Sequence, residues 1–441
     1  MDAPADAPAG SRQAGFRGLV SPKTAVVALL AGLVAVFAGW IVVTVATNQP
    51  LDFNVYYLAA EAYARGGDPY ALSDAFPSPE WNKLAADVGI THFAKPYRYP
   101  PQTAVLVMLL RPLGPVAAVA LWDCLNAVAM ILGAWLLGRV LGGGWWTPVS
   151  LGALLLFGPA YDTLMMGQIN GLVFLSFVAA LWCLQRGRGG AAGVSLAIGG
   201  VLKLVPIILV PYLLLRRRWR VAASALAACI VLTLLCVPFI GVRGVAAYVG
   251  HAVALTRPNS VFTGEMNQTL SGVLGRAFDD PALARALARV FGAALLVVTA
   301  VFCWPRGDGA RWLALEYAVV VAVLGLVFPF TWYHQLVILL LPLLVVAHEL
   351  LSRRRHALLA LVCLLYVLTS AHFAIWSTLA PLRYRGWGST ALAVFPFLLG
   401  FCLWLIGGVM LTRGKRMFSR ESQSVRLARL GGGDAGVVER D

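Results

Sequence analysis

Charge is what this sequence has least of. Only 12% of its 441 residues are Asp, Glu, Lys or Arg, where a soluble domain carries about 25%. Together with 60% hydrophobic residues and a mean hydropathy of +0.78, that scarcity excludes a soluble globular protein and leaves a polytopic membrane protein. No Gly-rich phosphate loop, nucleophile elbow or zinc-ligand spacing occurs, so nucleotide-cradling, serine-hydrolase and zinc chemistries lose their usual sequence support. The seven cysteines, Cys124, Cys183, Cys229, Cys236, Cys303, Cys363 and Cys402, fall inside apolar segments. They read as small buried apolar residues, with no disulfide framework. No internal repeat or low-complexity tract interrupts the apolar part, which argues against an inverted-repeat transporter.

The charge that is present is mostly positive, a net +15. It sits in short clusters between apolar runs, the pattern of cytoplasmic loops, and therefore gives no support for nucleic-acid binding. Residues 1–20, rich in Ala, Pro, Gly and Arg, read as a disordered cytoplasmic tail, 21–412 as one multi-span domain, and 413–441 as a basic cytoplasmic tail. Apolar runs lie at about 24–46, 101–113, 115–140, 148–162, 168–185, 191–215, 220–241, 285–303, 311–328, 331–350, 356–376 and 389–412. The expected fold is thus an all-α bundle of about twelve transmembrane helices, with short amphipathic helices in its outer loops. Clusters at Arg216–Arg220, Arg306–Arg311, Arg353–Arg355 and Arg413–Arg416 place both termini in the cytoplasm. The loops at 47–100, 242–284, 329–332 and 377–388 then lie outside, in a multi-pass cytoplasmic-membrane protein. Arg186-Gly187-Arg188 breaks this parity, and Lys203-Leu204-Val205-Pro206 interrupts a run, so some middle segments are expected to be broken or re-entrant.

The long outer loops are where function is expected. Asp52 is the first acid beyond the first span, and Tyr56, four residues on, shares its face of a short amphipathic helix that Gly66-Gly67-Asp68-Pro69 stops. The carboxylate suits a general base, or equally a helix N-cap. Lys203 lies about twelve residues from either end of its apolar run, where a lysine costs about 2.5–3.5 kcal/mol. That cost points to a phosphate or sugar contact more than to snorkelling. Gln168 and Asn170 are amides in an apolar region, suited to sugar hydroxyls or to helix–helix bonding. His334 beside Trp332 is either an interfacial belt residue or a phosphate contact. Arg98, Arg257, Arg383 and Arg385 are outer cations; Tyr56, Tyr99, Trp332, Tyr384 and Trp387 are stacking candidates. Glu265 and Asn267 are acceptor-contact candidates, and Asp279-Asp280 reads as the N-cap of a helix opening at Pro281.

Several fragments recur in order. They are Asp52 and Tyr56 with Ala60, Gly66 and Asp68-Pro69-Tyr70, then Tyr99-Pro100-Pro101, Gly167-Gln168-Ile169-Asn170, Lys203 with Pro206, Asn267-Gln268-Thr269-Leu270 and Trp332-Tyr333-His334. Their succession resembles glycosyltransferase family 87, GT-C-fold mannosyltransferases that use polyprenol-phosphate-mannose. The chain departs from that pattern at Gln335, where the family often has a second His. The resemblance implies an inverting transfer on the outer face, from a polyprenyl-phosphate-linked sugar, mannose by resemblance alone, to a glycolipid or cell-envelope glycan. It implies catalytic roles for Asp52 and His334 and donor-phosphate contacts from Lys203, Arg98, Tyr56 and Tyr99. Sugar or acceptor contacts would come from Gln168, Asn170, Asn267, Gln268, Glu265 and Trp332, with no cofactor or metal. The alternative reading of the residues is a transporter or flippase in which Lys203, Gln168 and Asn170 line a midplane site and Asp52 is only a cap.

Overall fold

A bilayer offers no partners for backbone N–H and C=O groups, so apolar runs must satisfy them internally as helices. The computed structural model describes residues 22–47, 51–74, 78–90, 95–254, 267–304, 309–328, 330–372 and 394–431, and among these there is no strand. The first helix, α1 (Pro22–Thr47), is strongly apolar over Val26–Ala46 and turns Val27, Leu29 and Val42 outward, as a lipid-facing span does. The segment after it folds as three short helices, α2 (Leu51–Ala64), α3 (Pro69–Asp74) and α4 (Pro79–Asp87). Ser78 caps α4 by accepting from the Trp81 N–H, and α4 buries one face through Trp81, Leu84 and Ala85. α2 departs from the amphipathic expectation, because every residue from Asp52 to Tyr63 is buried. It is a core helix capping one end of the bundle, held at its far end by Glu61, which bonds both Arg65 and Arg111.

The run at 101–113 is not a separate crossing. α5 (Pro101–Met108) is followed by a 3-10 turn that leads into α6 (Gly114–Val140), and Arg111–Val140 together are long and apolar enough to span. Return is by α7 (Trp146–Leu155) and α8 (Gly158–Met165), broken at Gly158-Pro159, and α9 (Asn170–Gln185) runs back along α6. Next come α10 (Gly189–Leu202), a 3-10 turn over Val205–Ile208, α11 (Leu209–Leu215) and α12 (Trp219–Ala254). Gly189, at the start of α10, lies against Val221, at the start of α12. The far end of α10 reaches α5, where Thr103 donates to the Leu202 carbonyl at 2.9 Å. α10 and α11 therefore enter and leave by the same end, forming a re-entrant hairpin with Lys203 at its tip. This explains the parity misfit at Arg186–Arg188, which lies beside the Arg216–Arg220 cluster at one end of the bundle.

The remaining helices are α13 (Leu270–Ala277), α14 (Pro281–Phe302), α15 (Gly309–Val327), α16 (Leu340–Ser352), α17 (His356–Ser370) and α18 (Phe395–Gly431). Asp280 caps α14 as expected, its Oδ1 accepting from the Ala282 N–H at 2.7 Å. Six helices among the described residues are long and apolar enough to cross a membrane, and six more apolar helices have 10–17 residues. The all-helical, multi-span architecture is thus present, with six of these helices long enough to cross by length and composition. α18 continues past Arg413 to Gly431, and Lys415 is buried rather than part of a loose tail. Not every cysteine is buried either, since Cys124 and Cys363 are exposed.

Candidate active site

Beneath α2 lies a cavity of about 780 Å³, lined among others by Asp52, Lys95, Arg98, Tyr99, Gln168, Lys203, Trp332 and His334. Five helix ends and interhelical turns supply these groups. Asp52 stands in the first turn of α2, where the helix dipole favours a carboxylate. It does not cap that helix. The Asp52 and Phe53 N–H groups donate to the Met166 carbonyl, at 3.1 and 3.3 Å, leaving the carboxylate to accept from Gln168 Nε2 at 2.7 Å. Lys95 Nζ approaches its other oxygen at 3.9 Å and sits 4.5 Å from the Trp332 ring centroid.

Gln168 reaches Asp52 because the chain turns sharply after α8. Gly167 takes a φ of +62° there, a conformation that would strain a residue with a side chain. The Gly167 carbonyl is fixed by Trp122 Nε1 at 2.9 Å. Gln168 then uses both ends of its amide. Nε2 also donates to the Tyr99 hydroxyl at 2.8 Å, while Oε1 accepts from the Tyr56 hydroxyl at 3.0 Å and from Lys203 Nζ at 3.3 Å. Lys203 donates again to Asn170 Oδ1 at 2.8 Å, and Asn170 Nδ2 donates to the His334 carbonyl at 3.1 Å. Lys203 is presented this way because α10 stops at Leu202 and Lys203 itself is extended, with φ −158° and ψ 115°. One amide thus joins the acid and the buried ammonium. Burial first, and the neighbouring Asp52 next, push the Tyr99 phenol well above its ordinary pKa, so Tyr99 acts as a neutral hydrogen-bonding group.

His334 is the second residue of the 3-10 segment Tyr333–Leu339, before α16. Its Nδ1 faces Asp162 at 3.5 Å, and its buried Nε2 has no hydrogen-bond partner among the described residues. An imidazole lining a cavity with one nitrogen held and the other unpaired can donate to or accept from a bound group there.

Of the candidates from sequence, Asp52, Lys203, Arg98, Tyr99, Gln168, Trp332 and His334 line the cavity. Tyr56 and Asn170 stand just behind and act through Gln168 and Lys203. Asn267 and Gln268 are placed differently. Asn267 Oδ1 accepts from the Thr331 N–H at 3.0 Å, and the Gln268 N–H donates to the Thr331 carbonyl at 2.7 Å. They are buried braces for the segment that carries Trp332, not lining groups, because a loop entering a cavity needs its own backbone satisfied. Glu265, Arg257, Arg383, Arg385, Tyr384 and Trp387 lie outside the described residues. Lys95, Asp162, Arg285 and Arg289 were not candidates from sequence, yet each lines the cavity or holds a group that does, and Gln335, noted only as a departure from the family pattern, lines it too. For the two arginines the available signal was their spacing, i and i+4 at the head of an apolar run.

The chain is similar to several known proteins. A polyprenol-phosphate-mannose-dependent alpha-(1-2)-phosphatidylinositol mannoside mannosyltransferase of Mycobacterium tuberculosis is 28% identical over 400 residues, covering 83% of this chain and 88% of that protein. A polyprenol-phosphate-mannose-dependent alpha-(1-2)-phosphatidylinositol pentamannoside mannosyltransferase of the same species is 26% identical, over 81% of this chain and 75% of its own. An alpha-(1->3)-arabinofuranosyltransferase of Corynebacterium glutamicum is 25% identical over 38% of this chain and 37% of its own. Among solved structures, apo ArnT from Cupriavidus metallidurans matches with a TM-score of 0.34 and 17% identity, covering 89% of this chain and 78% of that one. The model of glycosyltransferase family 87 matches residues 97–329, more than half of the sequence and the stretch that supplies Arg98, Gln168 and Lys203, and the chain belongs to that family.

Proposed function

We propose that this membrane glycosyltransferase moves mannose from a polyprenyl-phosphate donor to a lipid-linked or cell-envelope glycan. The observation that carries the reading is the single amide of Gln168, which joins the Asp52 carboxylate to the Lys203 ammonium at the cavity floor. Group transfer from a phosphate needs a base at the attacking oxygen and positive charge at the leaving one, and these are the two groups brought together. In the reaction, an acceptor hydroxyl oxygen forms a bond to the anomeric carbon as the bond from that carbon to the phosphate oxygen breaks. The hydroxyl proton passes to Asp52, and polyprenyl phosphate leaves with the electron pair. Attack opposite the leaving group inverts the anomeric centre.

Lys203 and the unpaired Nε2 of His334 are the groups placed to meet the donor phosphate, with Lys95 and Arg98 at the rim. In this reading they supply the positive charge at the leaving group, and no resident metal or cofactor is required. Trp332 and Tyr99 present ring faces and edges for sugar contact. The relatives named for mannose donors support mannose, and their phosphatidylinositol mannoside acceptors support a glycolipid acceptor here. The site is assigned to the outer face because basic clusters gather at the opposite end, the cytoplasmic one by the positive-inside rule.

The test uses membranes bearing the wild type or Asp52→Asn, supplied with labelled polyprenyl-phosphate-mannose and a lipid extract. Asn keeps the shape and one acceptor oxygen but takes no proton, so transfer should fall about 10²–10⁴-fold. Transfer by Asp52→Asn at the wild-type rate would sink the base assignment. Transfer only from a different polyprenyl-linked sugar would correct the donor.

A further inference from the structure

One wall of the cavity is used by none of the groups above. Arg285, Ala288, Arg289, Gly292, Ala293 and Leu296 all line it, and they form a single stripe of α14 at intervals of three and four residues. The stripe is itself divided. Two arginines, one turn apart, stand at the end nearer the helix start, and the small residues Ala288, Gly292 and Ala293 leave open space beside and beyond them. Arg285 is half-buried and Arg289 more exposed, and neither has a hydrogen bond or ion pair with another described residue. The main packing partners of α14 are α13, α15 and α18, so its arginines face the cavity from a different wall than Asp52, Gln168 and Lys203.

Charge in the cavity makes the pair more than a snorkelling rim. Among the described residues, Lys95, Lys203, Arg285 and Arg289 line it against one carboxylate, Asp52. A polyprenyl-phosphate-linked sugar brings one negative charge, which Lys203 and its neighbours meet, and the cavity remains cationic with donor in place. A second anion is therefore accommodated, and the guanidinium forks of an i, i+4 arginine pair match the oxygens of a phosphodiester. The apolar groove past Gly292 fits a chain attached to that phosphodiester.

We infer that Arg285 and Arg289 form a second anion subsite, separate from the donor site, that holds the phosphodiester of an anionic phospholipid carrying the acceptor glycan. The inference rests on the glycosyltransferase reading for the word acceptor, but the subsite is tested without turnover. Headgroup binding on α14 would swing the attached glycan toward Asp52 while its acyl chains remain at the lipid-facing side.

The experiment is native mass spectrometry of the full-length protein titrated with phosphatidylinositol, with undecaprenyl phosphate and with the uncharged decyl mannoside. The wild type should retain phosphatidylinositol and undecaprenyl phosphate together on one molecule. Arg285→Gln/Arg289→Gln, which keeps side-chain length and amide donors, should weaken phosphatidylinositol about tenfold or more. Undecaprenyl phosphate and decyl mannoside should change less than about twofold, and Lys203→Met should show the reverse pattern. Thermal unfolding of each variant serves as the folding control. Unchanged phosphatidylinositol binding in the double variant, or loss of undecaprenyl phosphate instead, would overturn the subsite. Wild type that holds phosphatidylinositol but never a polyprenyl phosphate would overturn the donor reading and leave the subsite standing.

Discussion

Gln168 is the residue on which the site turns, since it alone meets Asp52, Tyr56, Tyr99 and Lys203. Its amide donates to a carboxylate from one end and accepts from an ammonium at the other, which neither a carboxylate nor an ammonium in its place could do. Gln168→Leu should therefore lower kcat about a hundredfold while the protein still folds, because a pre-arranged donor at the reacting centre is lost. Measured beside Asp52→Asn, the two losses should not multiply, since both remove one unit of machinery. A multiplicative loss in the double variant would mean that Gln168 acts on something other than Asp52. At this scale the sequence was partly legible. The depth of Lys203 in an apolar run marked it as costly and thus purposeful, and the i, i+4 relation of Asp52 and Tyr56 put them on one face. Spacing said nothing about where the Asp52 carboxylate pointed, because a cap and a base share the same place in a helix. The contact that decides it comes from Gln168, more than a hundred residues away.

Lys203 reaches the cavity because the hairpin of α10 and α11 packs close to α9 and α12, and glycines permit that approach. A Cβ at Gly199 would meet Ser176 Oγ at 2.1 Å and Ser176 Cβ and Pro206 Cγ at 2.8 Å, and one at Gly193 would meet the Val221 carbonyl at 2.5 Å. Gly199→Ala should thus lower both the unfolding temperature and the transfer rate, and Ser176→Gly in the same chain should restore part of each. Gly193→Ala should resist rescue by Ser224→Gly, because the Val221 backbone cannot give way. Equal rescue at both sites would show that the hairpin is loosely seated. α2 is positioned by its other end. Burial raises the Glu61 pKa, but hydrogen bonds from Arg65 and Arg111 outweigh it and hold the carboxyl below its ordinary value. A depressed folded pKa contributes stability at neutral pH that is lost as pH falls through the folded value, so the contribution fades as Glu61 protonates in acid. Glu61→Gln should destabilise by about 1 kcal/mol at pH 7, and its gap to the wild type should close in acid. An unfolding-temperature gap independent of pH would point to packing instead. Helix type and rough extent were readable from apolar periodicity, whereas the re-entrant turn left only a parity misfit at Arg186–Arg188. The full burial of α2 left no trace, because its tyrosines and acids resemble those of an exposed amphipathic helix.

The whole molecule has two unlike ends. One holds the cavity; the other gathers the arginine-rich turns and, just inside them, a buried cluster in which Glu316 meets Arg216 at 3.0 Å and Lys415 at 2.7 Å. Tyr212 also donates to Glu316, so this cluster ties α11, and through it the base of the Lys203 hairpin, to α15 and α18. The basic ends were legible as charge clusters, but the partner of Lys415 was not, since one glutamate in an apolar run gives no direction. Sidedness follows from these ends if the positive-inside bias orients the chain. Asn82 on α4 and Arg355 between α16 and α17 are both exposed and stand at opposite ends. In intact cells, a membrane-impermeant thiol reagent should label Asn82→Cys at once and Arg355→Cys only after permeabilisation. Cys124 and Cys363, exposed along apolar helices, face lipid in this arrangement and should stay unlabelled, because the reagent needs a water-accessible thiolate. The reverse pattern would put the cavity on the cytoplasmic side. The donor sugar would then have to be presented from the inner leaflet, and the chemistry proposed for Asp52 and Lys203 would be unaffected while its location was revised.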